Sequence, residues 1–446
     1  MQKKLLKKAF VGFEIEFFTI NKKGQIMPAA DNILKKIRDS KREQHTFHIK
    51  KECTTHYLEI ATAPYSSSAQ TMNHLVRELE YAYDIAEPQG VLFYPFGTYP
   101  GKFNPVMRPD PRYRIQESIF GKKRFNIAGR VVGFHCHYTL PRGMFDSQLR
   151  ILKMFTNSKI KDSLVNSYNL MVAADPALTT FMQSSPFYQG AYIAKDSRVI
   201  MYRGGAPFNN PQSLYANLEE FGGLPPYKLT GFDIMEILNA NYETWKAYIK
   251  KLGINLRTLS LYGSILDTYW GALKINDNGT LEVRGMDMNF LSNILGIGTI
   301  IRHVQKMLQE EFYAVVPADI GIREPFKVEG DVIYIPPYSY VKNDLQKNAA
   351  YKGFENEAVY NYCKRFLKFA ESVIPKEELA CTKPLHEMLS RRRTVSDDML
   401  KFAQKRGYRK KDALSNKLAT EIALHYSGKF MEDMRSTKDF ISTHAL

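Results

Sequence analysis

Four short segments of this 446-residue chain alternate polar and apolar positions with a period of two, and each gathers its polar positions on one face. In Val11-Gly12-Phe13-Glu14-Ile15-Glu16-Phe17-Phe18, residues two apart share a strand face, so Glu14 and Glu16 point together. Val11, Phe13, Ile15 and Phe17 point the other way. His56-Tyr57-Leu58-Glu59-Ile60-Ala61 adds Glu59, and Val132-Gly133-Phe134-His135-Cys136-His137-Tyr138 sets two imidazoles on one side. Thr280-Leu281-Glu282-Val283-Arg284 sets a carboxylate beside a guanidinium. A solvated antiparallel face also alternates, but it carries mixed Lys, Ser, Thr and Gln. Here the polar positions are mostly metal-ligand types.

Between these strands the spacing turns helical. It predicts a helix near 31–42 and an amphipathic helix over 68–87, opened by serine caps and carrying Leu75, Leu79, Ala82 and Ile85 on one face. Further helices are expected over 146–156, 161–175 and 233–252. Residues 93–111, rich in Gly and Pro, read as a loop, as do 191–227 with Gly204-Gly205 and Pro225-Pro226. From about 289 the pattern is helical, over 298–312 and 356–372, then 385–391, 397–405 and 412–426. All the acid and histidine strands precede this region. The division expected is a catalytic body over 1–380 and a basic helical C-terminal extension over 381–446.

Composition is that of an ordinary globular protein, 44% hydrophobic and 24% charged. No apolar run reaches the roughly 18 residues of a membrane span. The basic start, Met1 to Lys8, lacks the apolar stretch and cleavage site of a secretion signal. Cys53, Cys136, Cys363 and Cys381 are scattered without CxxC spacing, which points to a reducing cytoplasm and away from a disulfide framework or zinc-thiolate site. The net charge of +16 favours anionic ligands, yet it lies in short separate clusters such as Lys50-Lys51 and Arg391-Arg392-Arg393, which read as solvated surface.

If the four faces converge, Glu14, Glu16, Glu59 and Glu282 come together, joined by Glu52. Two like charges about 4 Å apart repel by about 4 kcal/mol at an effective dielectric of about 20, so such a cluster needs cations. Oxygen ligands with few imidazoles favour Mg²⁺ or Mn²⁺, and five acids suit two or three ions rather than one. Such metals usually serve the phosphates of a nucleoside triphosphate, and Arg284 is placed to neutralise charge on a transferring phosphoryl group. One histidine can ligate metal while the other meets phosphate. The chain has no G-x-x-x-x-G-K-[ST] loop, no dinucleotide fingerprint and no G-x-S-x-G elbow.

These motifs resemble those of the glutamate–cysteine ligase family, nearest its branch of carboxylate–amine ligases. The resemblance rests on Gly12-Phe13-Glu14-Ile15-Glu16, Glu52, Leu58-Glu59-Ile60-Ala61-Thr62-Ala63-Pro64, Gly97-Thr98-Tyr99-Pro100, Arg112-Tyr113, Gly133 to His137 and Gly279 to Asp287, in the family's order. The histidine strand is also similar to a segment of glutamine synthetase. The resemblance implies a glutamine-synthetase-like α+β fold, a curved antiparallel sheet forming a funnel flanked by helices. It implies ATP and Mg²⁺, activation of a carboxylate as an acyl phosphate, and displacement of phosphate by an amine. By the same resemblance Glu14, Glu16, Glu52, Glu59, His135 and Glu282 are metal ligands, and His137 and Arg284 contact phosphates. Glu282 and Arg284 are also the residues expected to matter most for turnover. Arg198 or Arg203 would hold a substrate carboxylate. Residues 204–210 depart from the usual family sequence, which leaves the substrates open.

The expected partners are therefore a small amino acid and an amine, with no membrane. The basic tail has no counterpart in the resemblance, and is read as packed surface helices, a homo-oligomer contact or a partner-binding element. Two alternatives stand beside the ligase: a small-molecule kinase on the same scaffold, and a non-catalytic protein that binds nucleic acid through its charge. The retained carboxylates argue against the second, because unused acid clusters cost stability.

Overall fold

The computed structural model describes residues 9–40, 48–153, 158–262 and 264–444. Its centre is one antiparallel sheet built from β1 (Val11–Asn21), β2 (Ile49–Lys51), β3 (Tyr57–Ala61), β4 (Val91–Tyr94), β5 (Gly133–Thr139), β6 (Leu273–Asn276) and β7 (Thr280–Asp287). The spatial order is β6-β7-β5-β1-β3-β2, with β4 pairing the end of β1 beyond β5. All four polar-apolar segments are strands of this sheet, and the three longest, β1, β5 and β7, are its central neighbours.

The period of two then separates the faces. Val11, Phe13, Ile15 and Phe17 are at most 1% exposed and look into the core. On that side lie α1 (Ala30–Asp39) and α2 (Ser68–Ala86), and after them in the chain α3 (Lys159–Phe181), α4 (Ser197–Tyr202), α5 (Gly231–Lys251), α6 (Leu291–Glu310) and α7 (Glu357–Glu371) complete the body, α6 packing behind β1 and β5. Ser67 caps α2 by accepting from the Gln70 N–H, as the serine signal predicts. The buried helix α6 crosses behind β1 at Gly298, where a Cβ would lie 2.3 Å from Phe13 Cζ. Only a residue without a side chain allows that approach. The α+β class expected from the sequence is what the chain adopts.

Two local expectations fail. The helix expected over 146–156 is a two-stranded hairpin, Phe145–Asp146 with Ile151–Leu152, and residues 154–157 lie outside the described ones. Asp146 accepts from the N–H groups of Gln148 and Leu149, and Arg150 sits at φ 54°, so the chain turns instead of winding. The stretch 191–227, expected to be loop, contains α4, whose N-terminus Asp196 caps through the Val199 N–H.

The C-terminal helices are α8 (Lys383–Arg391), α9 (Val395–Gln404) and α10 (Asn416–Thr443). α10 runs well past the expected 426, carrying Phe430, Met434 and Ile441 on the buried face. Gly428, which weakens a helix by about 1 kcal/mol relative to Ala, interrupts the pattern without breaking it. These helices join the same apolar core as β1: Phe96 meets Tyr426 and Phe430 edge-on at 5.5 and 6.5 Å. Lys195, 2% exposed, binds Glu355 at 2.6 Å and also Asp397 of α9. Among the described residues, no helix is long and apolar enough to cross a membrane. All four cysteines are free and buried.

Phe430→Ala is therefore expected to destabilise the whole protein by about 3–5 kcal/mol, as truncation in a packed core does. Denaturant unfolding followed by two independent probes checks it. A loss far smaller than this would mean that α10 is merely appended.

Candidate active site

Strand register assembles the polar face. Glu14 on β1 lies opposite His135 on β5, and Glu16 lies opposite Glu59 on β3. Glu282 on β7 lies opposite His137 on β5 and Lys274 on β6. Lys50 on β2 lies opposite Glu59. Two rows therefore cross the sheet, each ending in a lysine on an edge strand: Glu16–Glu59–Lys50 and His137–Glu282–Lys274. Directly opposed residues place their Cβ atoms about 4.5–5.5 Å apart, which is why side chains distant in sequence meet. Glu52, in the turn between β2 and β3, joins the first row.

Two groups result in which the ligand-type atoms all lie within 4.8 Å of one another: Glu14, His135 and Glu282, and Glu16, Glu52 and Glu59. In the first, His135 Nδ1 is 3.2 Å from Glu14 Oε2 and 3.6 Å from Glu282 Oε1. His137 Nε2 is 3.3 Å from Glu14 Oε2, and its Nδ1 shares a hydrogen bond of 2.9 Å with the Thr280 hydroxyl. Arg284 Nε lies 3.0 Å from Glu282 Oε1, and Asn276 donates to Glu282 Oε2 at 2.8 Å. In the second, the Gly133 N–H donates to Glu16 at 2.6 Å and the Cys53 N–H to Glu52 at 3.2 Å.

The two groups differ electrostatically. Burial works to raise the Glu14 pKa, but His137 and His135 outweigh it and hold the carboxyl well below its usual range. Burial likewise opposes ionisation of Glu282, yet Arg284, His137 and Lys274 bring it down to about 2. In the second group nothing comparable intervenes. Burial and the neighbouring Glu16 push Glu52 up to about 7, and burial with Glu14 and Glu52 raises Glu59 well above the carboxylate range. One half of the acid face is compensated by the protein's own cations; in the other, burial and neighbouring carboxylates make Glu52 and Glu59 harder to ionise.

Two cavities flank this face and share Glu14. The larger, about 450 Å³, is lined by Phe10, Phe13, Lys50, His137, Phe145 and Thr280 among others. The smaller, about 260 Å³, contains the remaining acids and His135, faced by Arg112, Arg198, Arg284, Tyr202 and Trp270. A β-bulge between Val283 and Met286 aims Arg284 into the smaller cavity. Gly285 sits at that bulge because a Cβ there would lie 2.3 Å from Arg203 Nη2 and 2.6 Å from Asp175 Oδ1.

All eight residues expected at metal or phosphate thus line one site, whereas the two arginines expected at a substrate carboxylate part company. Arg198 lines the smaller cavity and is steadied by the Gly285 carbonyl at 3.1 Å. Arg203 does not line it: both of its terminal nitrogens donate to Asp175, at 2.6 and 2.7 Å, in a buried pair. It props the bulge at Gly285. Sequence reasoning missed Lys50, Lys274 and Asn276 as members of the site. It quoted Arg112 within a motif without giving it a role.

The chain matches the family described as "Glutamate-cysteine ligase family 2(GCS2)" over residues 10–289. A curated protein of Herminiimonas arsenicoxydans, "Putative glutamate--cysteine ligase 2", is 21% identical over 282 residues, which is 62% of each chain. The chain thus spans less than two thirds of that relative. Among solved structures it resembles a glutamate–cysteine ligase from Francisella tularensis in complex with AMP, with a TM-score of 0.58 at 13% identity, covering 98% of this chain and 93% of that one. It also resembles a bifunctional glutathione synthetase from Pasteurella multocida, with a TM-score of 0.56 at 13% identity over 95% of this chain and 53% of the other. These likenesses concern the fold alone. The matched region holds every strand of the acid face and covers well over half of the sequence, so the chain belongs to glutamate–cysteine ligase family 2.

Proposed function

We propose that this protein is an ATP-dependent carboxylate–amine ligase that forms an amide of the γ-glutamyl type through an acyl phosphate. The observation that carries the reading is the pair of acid groups lining the smaller cavity, which meets the larger one at Glu14. A nucleotide in the larger cavity and an acid in the smaller one, meeting at these carboxylates, are arranged for phosphoryl transfer between them.

The donor set fits divalent cations. The two groups offer five carboxylates and one imidazole, hard ligands suited to Mg²⁺ or Mn²⁺. Glu14, His135 and Glu282 would hold one ion, and Glu16, Glu52 and Glu59 another, with room in the family's pattern for a third. Such ions supply positive charge to phosphate oxygens.

The protein's own residues do the rest. Phe10 and Phe145 give the larger cavity apolar walls for a base, and His137 faces the phosphates from the sheet. Arg198 and Arg112 hold the carboxylate substrate in the smaller cavity, where Arg284 stabilises charge on the phosphoryl group as it moves from nucleotide to acid. The substrate carboxylate takes the phosphoryl group and ADP leaves. The amine then attacks the acyl carbon, phosphate departs, and the amine loses one proton. The substrates are a small amino acid and an amine, and four unpaired buried thiols suit a reducing cytoplasm.

The direct test is phosphate release from Mg-ATP against a panel of carboxylic acids and amines, with mass spectrometry of each mixture. Release that needs both partners, with an amide product, is expected. A phosphorylated small molecule without amide would make the protein a kinase instead. Glu282→Gln should lower kcat by about 10²–10³-fold, as loss of one transition-state electrostatic contact does, with an unchanged circular dichroism spectrum. Near-normal turnover would remove Glu282 from the site.

A pH dependence follows from the uncompensated group. Glu52 and Glu59 hold their protons in the fold to higher pH than in the unfolded chain, and His137, held against burial by Glu14, is raised too. Metal-free protein should lose stability as pH rises from the ordinary carboxyl value of 4.5 through about 7. Glu14 and Glu282, whose pKa values are lowered, lose their stabilising contribution only below that window. Added Mg²⁺ or Mn²⁺ should therefore raise the melting temperature strongly at pH 8 and little at pH 5. Thermal melts across pH with and without metal check this, and equal metal effects at both pH values would contradict it.

A further inference from the structure

The two rows of the acid face end in lysines that are not equivalent. Lys274 on β6 is 8% exposed and its ammonium lies 3.4 Å from Asp267, so it is enclosed among carboxylates. Lys50 on β2 is different. Its neighbour Ile49 is 2% exposed and faces the core, so the pleat turns Lys50 to the acid face, in register with Glu59. Lys51 turns back, toward Asp110 at 3.7 Å. The Lys50 ammonium lies 3.6 Å from Glu59 Oε1, longer than the roughly 2.7–3.2 Å of a good N–H···O bond, with its side chain 47% exposed. That half-free ammonium lines the larger cavity together with Glu14 and His137.

We propose that Lys50 is a catalytic residue whose ammonium leaves Glu59 to contact the terminal phosphates of a nucleotide in the larger cavity. The inference rests on the ligase reading above. A compact ammonium on a flexible stem suits phosphate oxygens, and this chain has no Gly-rich loop lysine to supply one. The handover is electrostatic. Were Glu16, Glu52 and Glu59 to hold a divalent cation, Glu59 would be engaged by it, and the Lys50 ammonium would be free to turn to the incoming phosphates. Lys50 forms no covalent bond; it offsets charge that builds on the phosphoryl oxygens as the group moves to the acid. Burial opposes its charge, but Glu59 and Glu14 raise its pKa and keep it cationic.

The test compares Lys50→Met and Lys50→Arg with Lys51→Met, the neighbour on the opposite face. Titration calorimetry with Mg-ATP, Mg-ADP and AMP is run beside turnover. Lys50→Met should weaken Mg-ATP binding by about tenfold, the scale of one charged hydrogen bond, and lower kcat by about 10²-fold, leaving AMP affinity unchanged. Lys50→Arg should recover most of the binding, and Lys51→Met should match wild type throughout. A Lys50→Met protein that binds Mg-ATP as wild type does overturns the assignment even if no substrate pair has been found. A wild-type protein that binds no Mg-ATP overturns the ligase reading itself, and Lys50 with it.

Discussion

Mutual repulsion among five carboxylates on one sheet face is the constraint around which this molecule is organised. At roughly 4 Å each unscreened pair costs about 4 kcal/mol at an effective dielectric of about 20, so the acids persist only because other parts of the fold are arranged against that cost. His135, His137, Arg284 and Lys274 answer Glu14 and Glu282. Glu52 and Glu59 are answered by protons and by the loosely placed Lys50. That asymmetry divides the site into a half whose charge the protein's own cations largely compensate and a half whose charge they do not.

Holding the acids at fixed spacing is the task of the other face. Phe13 and its neighbours are clamped by α6, which approaches closely because position 298 is glycine. The Arg203–Asp175 pair fixes the bulge at Gly285 and so the direction of Arg284. The C-terminal helices take part in the same scaffold. Lys195, one residue before the cap of α4, ties α9 to the helix that carries Arg198.

Much of this was legible in the sequence because a strand has the shortest period there is. Two residues apart means one face, so E-x-E, H-x-H and E-x-R each declared a direction before any partner was known. What was not legible depends on register across strands. Nothing near Lys50 reveals that Glu59 will stand opposite it, nor does anything near Lys274 point to Glu282, and short basic clusters ordinarily mark solvated surface. Arg198 and Arg203 are not separable from sequence, because Gly and Pro make the segment 191–227 read as loop. In α4 and its C-cap, five residues apart means different directions, one toward the cavity and one toward Asp175. The misread hairpin at 145–152 failed for a related reason: Asp146 and the left-handed Arg150 impose a turn that apolar spacing does not record.

As cation sites, the two acid groups would join a nucleotide in the larger cavity to an acid in the smaller one. Anomalous scattering from crystals grown with Mn²⁺ and a non-hydrolysable ATP analogue is the decisive measurement. One manganese peak is expected among Glu14, His135 and Glu282 and another among Glu16, Glu52 and Glu59, with the analogue in the larger cavity beside Lys50. Manganese absent from both groups, or an analogue bound away from Glu14, would contradict that arrangement.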